Sequence, residues 1–162
     1  MKNLIFLRHA KSNWDNPVSD RNRPLSSSGI KAIQQVALHW KDVFSAAQCI
    51  MSSPANRALH TATILTHTVG YDMNKIKIDE ALYTFSSSDI ISYIKRLDDV
   101  YDHLLLVGHN PAFSEVTQEL SSNNVPELNT ACWAQLTFEA KHWSEIKQGT
   151  SINGSRKSLS NL

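Results

Sequence analysis

Three short stretches of this chain place arginine and histidine where they can act on a phosphoryl group. Arg8-His9 follows the apolar run Leu4–Leu7, Arg57 follows Ser52-Ser53-Pro54, and His109 stands between Gly108 and Asn110. A guanidinium is a planar fork that matches a tetrahedral oxyanion and stays charged at any relevant pH, so Arg8 and Arg57 together make a phosphate clamp. A cationic site of this kind repels metal ions. The two histidines are therefore poor zinc ligands and better candidates for nucleophile and proton-handling groups. An imidazole attacks phosphorus only when neutral, and nearby arginines disfavour its protonated form. Taken singly, a histidine after a strand or an arginine in a first helical turn is ordinary. The weight lies in four such residues arriving together.

The elements that must position them alternate between strand and helix. Leu4–Leu7 and Cys49-Ile50-Met51 read as buried strands, and Leu104–Val107 as a central one. Ile76 and Ile78 alternate with lysines, which suggests a more exposed strand, and 131–138 reads as a last major strand. Between them, the cluster Ser26–Ser28 offers an N-cap to a helix carrying apolar residues from Ile30 to Phe44. Pro54 suits the first turn of a second helix that Gly70 stops. Ser86–Ser88 and Asp89 cap a third helix through Leu97, and Pro111 opens a fourth through about Leu120. Residues 8–24 read as a long functional loop, and the segment from Lys147 as a weakly structured tail.

This order predicts a three-layer α/β/α sandwich with a mostly parallel central sheet. Ligands in such sheets bind at the carboxyl ends of the strands. Arg8, His9, Arg57 and His109 all fall just after predicted strands, and helices starting at Pro54 and Pro111 would add partial positive charge nearby.

With 162 residues the chain is sized for one domain. Its formal charge of +1 argues against a nucleic-acid coat. That total hides a split, with a net +5 in residues 1–60, −7 in 61–140 and +3 in 141–162. The opening apolar run is too short for a signal peptide or a membrane span, so a cytoplasmic protein is expected. Cys49 and Cys132 lack the spacing of a zinc or disulfide framework and read as core thiols. Asn153-Gly154-Ser155 matches a glycosylation sequon, read as a chance match.

The motifs resemble those of the histidine phosphatase superfamily. Leu7-Arg8-His9-Ala10-Lys11-Ser12 is similar to its Arg-His signature, Ser52-Ser53-Pro54-x-x-Arg57-Ala58-x-x-Thr61 to its second arginine motif, and Val107-Gly108-His109-Asn110-Pro111 to its distal histidine motif. Asp20-Arg21-Asn22-Arg23-Pro24-Leu25, followed by Gly29, resembles the short branch of SixA-type phosphohistidine phosphatases. The resemblance runs from residue 4 to about 138. It implies a phosphoglycerate mutase-like fold and a covalent phosphohistidine intermediate on His9. It also implies that Arg8, Arg57 and His109 hold the phosphoryl oxygens, that Arg23 and Ser12 contact phosphate or substrate, and that neither metal nor cofactor is needed.

Larger superfamily members carry a glutamate general acid whose position falls near Thr84 by rough alignment, and threonine cannot serve as an acid. Asp20, Asp79 and Glu80 lie nearby in sequence and read more simply as surface or capping carboxylates. A missing acid penalises phosphate esters by a typical 10²–10⁴-fold but penalises a phosphoramidate less, because imidazole leaves more readily than an alkoxide. The expected substrate is thus phosphohistidine on a protein, with a histidine-phosphotransfer protein as one partner the family suggests. A small phosphorylated substrate remains open, handled by a general phosphomonoesterase using Asp20 or Glu80. So does a non-catalytic phosphohistidine-binding module, whose mark would be loss of His9 or an arginine; none is lost. Trp14, beside the site, has two readings: a rim residue that contacts a partner, or packing over the loop.

Overall fold

The computed structural model describes residues 1–155. Six strands form one sheet: β1 (Lys2–Arg8), β2 (Cys49–Ser52), β3 (Ile76–Ile78), β4 (His103–Gly108), β5 (Trp133–Phe138) and β6 (Thr150–Gly154). Their order is β3-β2-β4-β1-β5-β6. The first four run parallel, and β5 is antiparallel to both β1 and β6.

Alternation along the central strands builds the three layers. Leu4 and Phe6 of β1, with Leu104 and Leu106 of β4, face one core with Ile90 and Ile94 of α4 (Ser87–Ile94) and Phe113 and Val116 of α5 (Ala112–Leu120). Ile5 and Leu7, with Leu105 and Val107, face the other core. There they meet Ile33 and Val36 of α1 (Ser27–His39), Phe44 of α2 (Lys41–Ser45) and Ala58, Ala62 and Leu65 of α3 (Asn56–Val69). These strand residues are fully buried, which is why their sequence runs are apolar throughout rather than alternating.

Capping follows the residue types. Ser26 accepts the Gly29 amide at the start of α1, and Gly70, at φ 78°, closes α3 in the left-handed conformation. Several details differ from the sequence expectation. The helix expected through Phe44 is interrupted at Trp40 (φ −102°, ψ 25°), whose ring packs against Trp133 at 5.2 Å. The third helix stops at Ile94 rather than Leu97. Pro54 precedes α3 rather than lying in its first turn, whereas Pro111 opens α5 as its N-cap, as expected. The weakly structured tail expected from Lys147 is wrong for Thr150–Gly154, which pairs with β5 as an edge strand. The rest of that tail, 156–162, lies outside the described residues.

Register gathers the site. Arg8 pairs with Gly108 and Ser52 with Val107, so β1, β2 and β4 end level with one another. The next amides continue the ladder, with His9 N donating to Gly108 O at 3.1 Å and Ser53 N to Val107 O at 3.0 Å. His9, Ser53 and His109 therefore leave the sheet at one rim.

Candidate active site

His9 sits at the floor of a cavity of about 250 Å³, also lined by Arg8, Ser12, Asp20, Arg23 and Arg57. Nδ1 of His9 lies 2.7 Å from the carbonyl oxygen of Ala10, and Nε2 lies 3.3 Å from Nε of Arg57. A carbonyl only accepts and a guanidinium only donates, so a single neutral tautomer satisfies both contacts. It carries its proton on Nδ1 and turns the Nε2 lone pair toward Arg57. Burial pushes the His9 imidazole down to about 4, with Arg57, Arg8 and Arg23 pushing the same way against the Ala10 hydrogen bond. The ring is neutral throughout the physiological range.

Arg57 comes from the first turn of α3 and is almost wholly buried. Its Nη1 donates to the main-chain oxygen of Asp20 at 2.6 Å and its Nη2 to Asp20 Oδ2 at 3.0 Å. With both terminal nitrogens held, Nε is the one left facing His9. Thr61, one turn further along α3, accepts the Ala10 amide at 3.0 Å, locking the backbone just after His9 to the helix that carries Arg57.

Arg23 reaches the same cavity from the long loop. Its Nε donates to Ser12 Oγ at 2.9 Å and its Nη1 to Asp20 Oδ1 at 2.8 Å, and its guanidinium lies 3.6 Å from the centre of the Trp14 ring. Ser12 is thus a support for Arg23. Arg8 is anchored by Nη1 to the Leu128 carbonyl at 3.1 Å, while its buried Nε has no hydrogen-bond partner among the described residues. Asn110 Nδ2 donates to the same Leu128 carbonyl at 2.7 Å, and Asn110 Oδ1 takes the Ser114 amide at the start of α5.

The His109 ring lies 5.3 Å from that of His9, with Tyr83 at 5.4 Å and Phe85 at 5.5 Å. Burial, then the adjacent His9 and the charge of Arg57, with Arg23 adding least, bring its imidazole down to about 3 against the opposite pull of Asp20. Nε2 of His109 lies 2.7 Å from Ser53 Oγ, which also accepts the Ala55 amide at 3.2 Å. Ser53 is completely buried. A buried hydroxyl keeps its proton paired, so Ser53 donates to Nε2 and the ring proton of His109 stands on Nδ1, a buried atom with no partner among the described residues.

The carboxylates are spoken for. Partial burial raises Asp20, but hydrogen bonds from Tyr83, Arg57 and Arg23 outweigh it and hold the carboxyl at about 2. Glu80 forms a two-pronged pair with Arg21, which lowers it. Asp79 caps the Ala81 amide and accepts from Tyr93. Thr84 bonds to Asp89 instead of facing the cavity.

The structure therefore brings Arg8, His9, Arg57, His109, Arg23 and Ser12 to one place. Sequence reasoning missed Tyr83, and it missed Ser53 as a partner of His109. Ser53 stood inside the quoted arginine motif, which was the available signal; nothing local marks Tyr83. Among the described residues, no three His, Cys, Asp or Glu side chains gather as a metal site, and no helix is long and apolar enough to cross a membrane.

The sequence profile of the histidine phosphatase superfamily (branch 1) matches residues 4–86. An uncharacterized protein of Mycobacterium tuberculosis is 28% identical over 152 residues, covering 88% of this chain and 93% of its own. A chloroplastic uncharacterized protein of Arabidopsis thaliana is 27% identical over 153 residues, covering 89% and 70%. Among solved structures, the protein histidine phosphatase SixA complexed with tungstate superposes with a TM-score of 0.81 at 20% identity, over 97% of this chain and 99% of that one. A mycobacterial glucosyl-3-phosphoglycerate phosphatase superposes at 0.66 and 14% identity, over 96% and 98%. The fold is thus the phosphoglycerate mutase-like sandwich.

Proposed function

Because this chain belongs to branch 1 of the histidine phosphatase superfamily, we propose that it removes the phosphoryl group from a phosphohistidine on a protein, through a covalent intermediate on His9. The observation that carries this reading is the pairing of a nucleophile held neutral with a site in which every nearby carboxylate is already engaged. The Nε2 lone pair of His9 accepts from Arg57 Nε and is freed for attack when an incoming phosphoryl group engages that guanidinium, and Asp20, at about 2, has no proton to give at neutral pH.

In the first step His9 Nε2 attacks phosphorus and the bond from phosphorus to the substrate's imidazole nitrogen breaks. That nitrogen keeps the bonding pair and takes a proton from solvent. In the second step water attacks phosphorus, the bond to His9 breaks, and inorganic phosphate leaves as the lone pair returns to Nε2. Arg8, Arg57 and Arg23 offset the charge on the phosphoryl oxygens, and the Nδ1–H of His109 donates to one of them. Preorganised cations do this work most cheaply where water is scarce, and His9, Arg57 and His109 are all buried.

The unassisted leaving group selects the substrate. An alkoxide leaves poorly without a general acid, whereas imidazole needs much less help. The likeness to a SixA structure supports this choice of substrate class. The test is a panel at matched concentrations: phosphohistidine protein, a sugar phosphate and an aryl phosphate. The reading expects kcat/KM to be highest on the phosphohistidine protein. Efficient sugar phosphate turnover with no activity on that protein would overturn it.

A further inference from the structure

The catalytic groups account for the floor of the cavity but leave its mouth unexplained. Two aromatic side chains from separate loops line that mouth, Trp14 and Phe85. Trp14 is 74% exposed and Phe85 47%. Neither hangs loose. One face of Trp14 rests on the Arg23 guanidinium at 3.6 Å, and Phe85 meets the His109 ring at 5.5 Å, inclined by 62°. Each is braced from within by a group of the anion pocket and turns apolar surface outward, beside the cavity.

In-line transfer fixes what that surface faces. The attacking and leaving atoms lie on opposite sides of phosphorus. His9 is at the floor, so the leaving group of any bound substrate projects toward the mouth, past Trp14 and Phe85. We infer that Trp14 and Phe85 form a leaving-group subsite that receives a flat heteroaromatic ring, the imidazole of a protein-borne phosphohistidine. This rests on the function proposed above and adds to it a physical basis for choosing the leaving group. Aromatic faces gain most from a flat partner, and rings already braced lose little freedom when one arrives. Lys11, at the same cavity, adds positive charge to the surroundings, which suits a substrate that arrives carrying a phosphoryl dianion.

The experiment uses the full chain and three small substrates: phosphoimidazole, p-nitrophenyl phosphate and acetyl phosphate. The first two have aromatic leaving groups and the third does not. The readout is the ratio of kcat/KM on phosphoimidazole to that on acetyl phosphate. Taking a ratio cancels any loss that Trp14 transmits through Arg23 to phosphate binding. Phe85→Ala and Trp14→Ala are each expected to lower it roughly three- to tenfold, mainly through KM, with Phe85→Tyr and Trp14→Phe restoring most of it. Equal losses on all three substrates, or no loss, would overturn the subsite while leaving the phosphohistidine reading standing. Turnover of p-nitrophenyl phosphate by the unaltered protein, with phosphoimidazole untouched, would overturn the imidazole assignment and the functional reading together.

Discussion

Arg57 Nε lies 3.3 Å from His9 Nε2, so the nitrogen that would attack phosphorus is held by a donor that never gives its proton up to it. Asp20 creates this arrangement by occupying both other nitrogens of Arg57, and it binds Arg23 as well. A phosphoryl group entering the cavity must share these two arginines with a carboxylate already there.

Asp20→Asn separates positioning from proton donation. The amide keeps the shape, removes a negative charge from the pocket and weakens the hold on both guanidiniums. Inhibition by inorganic phosphate is expected to tighten several-fold while kcat falls roughly tenfold, a mismatch that comes from a misaligned Arg57. A general acid would behave differently, with a loss of about 10²–10⁴-fold that shrinks as the leaving group improves. Phosphate inhibition constants and a leaving-group series distinguish the two.

Acidity should reach the enzyme late. His9 titrates at about 4, below the ordinary 6.5, because it is buried among arginines. On the proposed mechanism the neutral ring is the active form, so kcat/KM, corrected for the ionisation of the free substrate's phosphoryl group, is expected to hold through pH 6.5 and fall only as pH approaches 4. An acid limb centred near 6.5 would contradict this.

Stability carries the same signature. The unfolded chain takes up a proton at His9 between pH 6.5 and about 4 that the folded chain refuses. Because the folded-state value is the lower one, stability falls as pH drops through that window and levels off beneath it. His109 adds a parallel loss ending at about 3. Urea midpoints measured from pH 7 to 4 should therefore decline, and His9→Gln should flatten part of the slope.

Ser53→Ala removes the group that sets the His109 tautomer. The expected results are a shift of the ring proton away from Nδ1, visible in nitrogen NMR of the histidines, and a kcat loss of about tenfold with a smaller change in KM. Stability should drop by roughly 1–3 kcal/mol, because the Ala55 amide and His109 Nε2 lose a buried partner. An unchanged ring spectrum would show that the tautomer is set elsewhere.

Gly29 is required by the loop it supports. A Cβ there would lie 2.2 Å from the Lys11 carbonyl oxygen, which also accepts from the Ser26 amide and hydroxyl. Gly29→Ala must push the backbone between His9 and Ser12 off α1. It is expected to cost roughly 1–3 kcal/mol and to lower kcat/KM more than a surface substitution of equal destabilisation, read from paired melting and kinetic measurements.

The motif residues were legible because strand ends in a parallel sheet are also its binding edge, so Arg8, His9, Arg57 and His109 declared their place by sequence position. Features set by tertiary contact were not. β6 has little apolar alternation of its own. It pairs through tertiary contact with β5, at whose end the Trp133 indole fills the space a Cβ of Gly154 would need, within 2.7 Å. The break at Trp40 likewise follows from its packing on Trp133 rather than from any helix-breaking residue. Asp20 was visible as a carboxylate, but its role depends on three partners, two from other elements: Arg23, Arg57 and Tyr83.

The most direct test of the central claim is rapid-quench analysis of the protein mixed with phosphoimidazole, followed by peptide mass spectrometry. The account predicts an acid-labile, base-stable phosphoryl group on His9, formed at least as fast as turnover, and neither label nor turnover in His9→Ala. Full turnover by His9→Ala, or phosphate release with no labelled His9 at any time point, would contradict it.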